Sequence, residues 1–567
     1  MIKIELPGEK RKGHLTLLRR PRTLTPREFN ALTFEERLEM VRLAEGRAKY
    51  QMILEAADCG ELVQALPAQD LFVLIKDLGM EDVAELVSLA STEQVTSFID
   101  LDCWDADRID AAAALIWLVP VLAEGGEKKI ASTLRDFDFS LLVLILQKFV
   151  TVVHGPEVLL DEDIQMEQGE REKIYQVSYR DSETAKLIGG LLDVLRRWDQ
   201  DFYVHLLEAV RQELPSALEE EVYRQRDHRL MDLGFPEPFE AHGLFAPLDP
   251  DTFDPADYAR ASEIPPVEGV APSFALTVGR PGNLLAEVLS AGISEASAWD
   301  LTFLLNRAMV ADRVDVGDRA AIREELDLLY GGLNLALEHL CGADVEKAAE
   351  LFDRTYLVSL FRLGFSLTLS LQRRARTLRD SAIGPYLDGP YAGLVAALSS
   401  TRPRYFTGLE ETMRSGTRPF AGLNDLQRID KWLTAVEVQH RLFAESFPFD
   451  LPTPETLDLT GCQPEEANQV TLSDFFLTAL ANRLCGRSFL PEPFPAGELG
   501  RLLSLVSEGG RLAETLRRET LAWLESLQQG AAAFGEFCFE IWDTEFCPHD
   551  SRHLDARFVG GLIIRRG

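Results

Sequence analysis

Seven cysteines are scattered through 567 residues, an odd number with no pair spaced Cys-x-x-Cys. That excludes a disulfide scaffold and suits a reducing, cytoplasmic compartment. Histidine is also scarce, with nine in the chain. There is no Walker-type Gly-Lys-Ser/Thr loop, no GxGxxG, no GxSxG elbow and no HExxH. These absences count against the common catalytic classes without closing the case for an enzyme. Long hydrophobic runs are missing too. Ala111–Ala123, broken by Pro120, and Leu141–Val153, containing Gln147 and Lys148, are the most apolar stretches. Both fall short of the roughly twenty residues that a spanning helix requires, so the chain reads as not transmembrane. The opening Met1-Ile-Lys-Ile-Glu-Leu-Pro carries no signal-peptide core. Basic charge is in deficit, 58 residues against 92 acidic, for a net charge of −34. Such a surface repels phosphate backbones and argues against general nucleic-acid binding. It leaves room for divalent cations or basic partner segments.

What is present is a soluble, globular composition, with 46% apolar and 26% charged residues. The length suggests three or four domains' worth of chain. One stretch carries an internal rule. From Ala57 to Asp102, steps of twelve bring four units into register. Cys59, Leu71, Val83 and Val95 form one column, and Leu62, Leu74, Leu86 and Phe98 the next. Val63, Ile75, Val87 and Ile99 form a third; Leu66, Leu78 and Ala90 form a fourth that ends on the polar Asp102. Within a unit these positions are i, i+3, i+4 and i+7, one stripe of a helix. Pro67, Gly79 and Ser91 fall at the joints. A helix of roughly nine or ten residues is marginal alone, so each unit must bury its stripe against its neighbours. The pattern predicts a stack of short helices.

The run Leu62-Val-Gln-Ala-Leu-Pro-Ala-Gln-Asp-Leu, then Leu78-Gly-Met-Glu-Asp-Val-Ala-Glu-Leu-Val, resembles the cytosolic N-terminal repeat of MgtE-type magnesium transporters. The resemblance covers residues 49–118. It implies a superhelical repeat and nominates Glu81, Asp82, Glu85 and Glu93 for magnesium. Helix-dipole pairing and a solvated face explain the same carboxylates without an ion. The transporters' regulatory domains and pore are not found in this sequence, so transport is not implied. The overall layout also resembles a bacterial family known as a domain of unknown function.

The fold class expected is all-α: a short-helix repeat N-terminal half, a Pro-rich strap, and a helical C-terminal half with minor β. Residues 1–27 are a basic leader, either a docking arm for an acidic or anionic surface or a tail resting on its own acidic body. Thr25 and Pro26 make a helix start as N-cap and N1. Residues 28–233 form the helical-repeat domain, with a small hairpin near Lys173–Tyr179. Nine prolines between 234 and 283 mark an ordered, aromatic-rich strap. Residues 284–536 form a second helical domain. It includes single helices over Val345–Leu378, with Gly364 as a kink, and over Glu498–Gln529. Residues 537–567 are a Cys- and His-containing tail.

Four groups in that tail suit a zinc ion: Cys538, Cys547, His549 and His553. Against them, Cys-x8-Cys-x-His-x3-His is no familiar finger spacing, and a core cysteine with surface histidines explains the set equally. The Glu437-Val-Gln-His440 motif lacks the second copy that a di-iron bundle needs. Asp249, Asp251, Asp254 and Asp257 lack the glycine and closing glutamate of a calcium loop, so caps and turns explain them better. No catalytic residue is nominated and no cofactor is expected. The favoured function is a cytoplasmic interaction or regulatory protein that holds a protein partner. The alternative is a metal-dependent enzyme, or a zinc-stabilised protein, centred on the Cys/His cluster.

Overall fold

The computed structural model describes residues 25–123, 126–154, 175–260, 271–273, 283–410, 416–550 and 554–566. The basic leader lies outside these except for its last three residues. Those open α1 (Pro26–Asn30), where Thr25 and Glu28 form the reciprocal capping box. The chain is all-α, with only short strands. Two compact units emerge: residues up to 246 with 253–362, and residues 247–252 with 363 onward.

The first unit contains the repeat. Its helices are α2 (Phe34–Leu43), α3 (Gly46–Glu55), α4 (Cys59–Ala65), α5 (Ala68–Leu78), α6 (Ala84–Leu89) and α7 (Thr92–Asp102). From α3 on, each packs against the next but one: α3 on α5, α4 on α6, α5 on α7. The second and third apolar columns are buried in all four units, none more than 5% exposed. Ser91 caps α7 through a box with Gln94. The Gln94 amide then donates to the carbonyls of Val63 (2.9 Å) and Leu66 (2.8 Å). Val63 O also accepts the Leu66 N–H as α4 ends, and with these bonds one glutamine both starts one unit and finishes another. Asp102, the polar end of the fourth column, accepts from Lys76 Nζ (2.6 Å) and Trp117 Nε1 (2.8 Å). Trp117 belongs to α8 (Ala111–Ala123), which runs through Pro120, and it packs on Phe72 and Phe98.

Helices α9 (Glu127–Asp136) and α10 (Phe139–Phe149) follow. The apolar stretch Leu141–Val153 is helical only as far as Phe149. Val150-Thr-Val-Val is β-branched and pairs as β1 (Val150–His154), antiparallel to β2 (Tyr175–Tyr179), with Val152 opposite Val177. Next come α11 (Ser182–Trp198), α12 (Gln200–Gln212) and α13 (Pro215–Asp232). Arg229 of α13 grips the buried Asp100 with two bonds, 2.7 and 3.0 Å, and reaches Asp138 at 3.0 Å.

Of the Pro-rich segment, residues 261–270 and 274–282 lie outside the described residues; residues 234–260 form α14 (Pro238–His242) and then caps and turns. Asp249 accepts from the Asp251 N–H and Asp254 from the Ala256 N–H, the role expected of them. Beyond it lie α15 (Leu284–Ala291), α16 (Glu295–Asp312), α17 (Arg319–Cys341), α18 (Val345–Arg354) and α19 (Leu357–Arg379). The single helix expected over 345–378 is thus two, broken at Thr355–Tyr356 rather than at Gly364. The break is made by distant chain. Arg260 N–H donates to Arg354 O, Tyr356 N–H to Tyr258 O, and Leu357 N–H to Asp300.

The second unit is built around α22 (Leu472–Leu484), whose residues Leu472–Asn482 are all buried. Around it stand α20 (Gly389–Ser399), α21 (Leu423–Arg441), α23 (Leu499–Val506), α24 (Glu514–Leu527) and α25 (Ala532–Glu545). The expected helix over 498–529 is interrupted by a hairpin, Ser507–Glu508 against Arg511–Leu512. Gly509 and Gly510 turn it with φ of 63° and 82°, a left-handed pair that side chains disfavour. Glu437 on α21 meets Arg374 at 2.7 Å, which is an ion pair on a helix face. Among the described residues, no helix is long and apolar enough to cross a membrane.

Candidate functional site

Two helix starts in the second unit meet at a pocket of about 360 Å³. The sequence builds each start with a carboxylate. In Thr471-Leu-Ser-Asp474, Thr471 is the N-cap of α22 and Asp474 returns to accept the Thr471 N–H at 2.9 Å. Ser473 lies in the first turn and sends its N–H (3.3 Å) and its hydroxyl (2.5 Å) to Asp388, the N-cap of α20. Helix α25 adds Phe537, Ile541 and Glu545 to the wall, and the Gly560–Leu562 segment closes it. At Gly560 a Cβ would collide with the Glu545 side chain, which would have to move aside.

Burial dominates the electrostatics. Asp388 is 3% exposed, and desolvation raises its carboxyl above the usual range against the Ser473 and Thr471 hydrogen bonds. Asp474 is pushed up to about 6, first by burial and then by the negative charges of Asp388 and Glu545. Behind them Cys538 is fully buried, and its thiol is raised well above normal by burial and by the same two aspartates. Among the described residues, the lining includes no arginine, lysine or histidine. The pocket is therefore suited to receive hydrogen-bond donors or a positive charge. Ser473 has no base of imidazole or amine type beside it in the lining, and both its polar groups serve Asp388. It caps a helix rather than attacking a substrate.

The predicted zinc residues separate into different surroundings. Cys538 looks toward Asp388 and Asp474, whereas Cys547 lies by Ser507, Asp543 and Arg517, its thiol raised to about 11 mainly by burial. His549 is half-buried, with Nε2 2.9 Å from the Phe558 carbonyl. His553 lies outside the described residues. Among the described residues, no three His, Cys, Asp or Glu side chains are grouped to hold a metal ion. Of the repeat carboxylates, Glu85 accepts from the Tyr50 hydroxyl at 3.1 Å and Asp82 stands 3.9 Å from Arg47. Glu81 and Glu93 are exposed. Sequence reasoning passed over Asp388, Ser473 and Asp474. The signal available was the Thr-x-x-Asp capping box, which marks a helix start but not what meets it.

Fold and site together define an all-helical protein with a short-helix repeat in one unit and a carboxylate-rich pocket in the other. The chain belongs to the family of unknown function DUF6178, whose model matches residues 26–565. No curated protein and no solved structure matches it.

Proposed function

We propose that this protein is a non-catalytic interaction or regulatory protein of the cytoplasm, whose N-terminal unit holds a protein partner. The observation that carries this reading is the repeat itself. Its second and third apolar columns are buried within the stack, while the same stretch of chain presents Glu61, Glu81, Glu85 and Glu93 outward. A stack of this kind offers a long, regular surface without a catalytic group, and its charge favours a basic partner segment. The likeness of residues 49–118 to the MgtE-type cytosolic repeat supports regulation rather than transport. The test is to identify a protein that co-purifies with the full chain and then rebuild the complex from pure components. Glu81→Lys, Glu85→Lys and Glu93→Lys together should weaken it at least about tenfold, and more at low salt. An identified partner that binds the triple variant as tightly as the natural chain would overturn the reading.

A further inference from the structure

The repeat also carries a cleft that is already occupied. It lies between α2, α3 and α5, with Arg42, Lys49 and Asp70 contributed by one helix each. The Asp70 side chain is inaccessible to solvent and Lys49 is nearly so, their charges 4.0 Å apart. Into this cleft comes Ala271-Pro272-Ser273, about two hundred residues further along the chain and buried throughout. Arg42 Nη2 donates to the Ala271 carbonyl at 2.8 Å. The Ser273 N–H points at both Asp70 oxygens, 2.9 and 3.1 Å away. The Ser273 hydroxyl lies 2.8 Å from Asp70 Oδ2 and 3.0 Å from the Arg42 carbonyl.

Two features make this more than an interior join. The cleft reads main-chain atoms of the first and third residues and one small hydroxyl, so its demands are few and another chain can meet them. Proline between them has a fixed φ and no N–H, which suits an extended segment held without a strand partner. We propose that the cleft is a recognition site for an extended small-residue–Pro–Ser peptide of a partner protein, and that Ala271–Ser273 fills it intramolecularly. The inference rests on the reading of the N-terminal unit as partner-holding, and it names the segment that would be held. A phosphoserine at the third position is excluded, since its charge would face the buried Asp70 carboxylate.

The experiment uses the full chain and a fluorescein-labelled nonapeptide with the sequence of residues 268–276. The natural chain should bind it only weakly, because the tethered segment competes at an effective concentration of order millimolar. Ser273→Pro removes both donors, should vacate the cleft, and should tighten peptide binding at least about tenfold. Adding Asp70→Asn should abolish the gain, and the phosphoserine form of the peptide should not bind. A folded Ser273→Pro chain that ignores the peptide, or binds it equally with Asn at 70, overturns the proposal. Should Ser273→Pro not fold, hydrogen exchange on the natural chain decides. About 5 mM peptide must speed exchange at the Ser273 amide, and no change overturns the proposal. Failure here with the Glu81/Glu85/Glu93 effect intact removes the cleft alone and leaves the partner-holding reading standing.

Discussion

Asp474 shows how one residue of this protein depends on its surroundings. Its folded pKa of about 6 stands above the ordinary 3.8 because burial and two neighbouring carboxylates oppose the charged form. A carboxyl raised on folding contributes stability that is complete below the unfolded pKa. That stability is lost as pH rises through the folded value. Between pH 4 and 6.5 the natural chain should therefore lose about 2 kcal/mol that Asp474→Asn does not lose. Asparagine keeps an acceptor for the Thr471 N–H, so the difference isolates the proton. Parallel denaturant titrations across that range would reveal it, and equal pH slopes for the two chains would contradict it. The cysteines make a second case. With the Cys538 thiol held protonated by burial and by Asp388 and Asp474, zinc after dialysis should be below about a tenth of an equivalent. Metal analysis measures this directly. About one equivalent, lost in the His549→Ala/His553→Ala variant, would instead establish the zinc site.

At the scale of elements, the repeat helices are too short to stand alone, so their stripes should be costly to trim. Leu74→Ala or Leu86→Ala should destabilise by roughly 2–5 kcal/mol, and Glu85→Ala by under about 0.5 kcal/mol. Denaturant melts with equal effects would contradict the stack. Asp100→Ala should also cost about 3 kcal/mol, since it strips a buried carboxylate from Arg229 and unties α7 from α13. Conversely, the hairpin at Gly509–Gly510 divides α23 from α24 for a local reason. Both glycines take left-handed φ, and no tertiary contact is needed to explain why a helix cannot cross them.

For the whole molecule, the net charge of −34 is the governing quantity. Self-repulsion at this density is screened by salt, so the melting temperature should rise between about 20 and 200 mM NaCl. A mixed-sequence DNA duplex should show no binding at physiological salt in a gel-shift assay, even near 10⁻⁴ M protein, roughly the weak limit of non-specific binders. A saturable shift would overturn the reading of the surface. The division into two units falls inside α19, between Arg362 and Leu363, and takes Pro247–Thr252 with the second unit. Nothing periodic in α19 marks that point.

The sequence alone determined what depends on neighbours within a turn or two. The twelve-residue register, the helix start at Thr25 and Pro26, and the all-α class follow from stripe spacing and capping chemistry. Those forces are local, so they are legible along the chain. Tertiary structure decided whatever depended on a remote partner. Arg260 and Tyr258 break the helix that the period carries through Thr355, by taking its hydrogen bonds. Tyr175–Tyr179 draws Val150–Val153 out of a helix into a strand. Asp70 reads as a helix-start carboxylate until Ser273 arrives from two hundred residues away. Asp388 and Asp474 are ordinary caps in the sequence and become a coupled, buried pair only because two helix starts converge. Charge burial and long-range hydrogen bonding have no period along the chain, and only the fold reveals them.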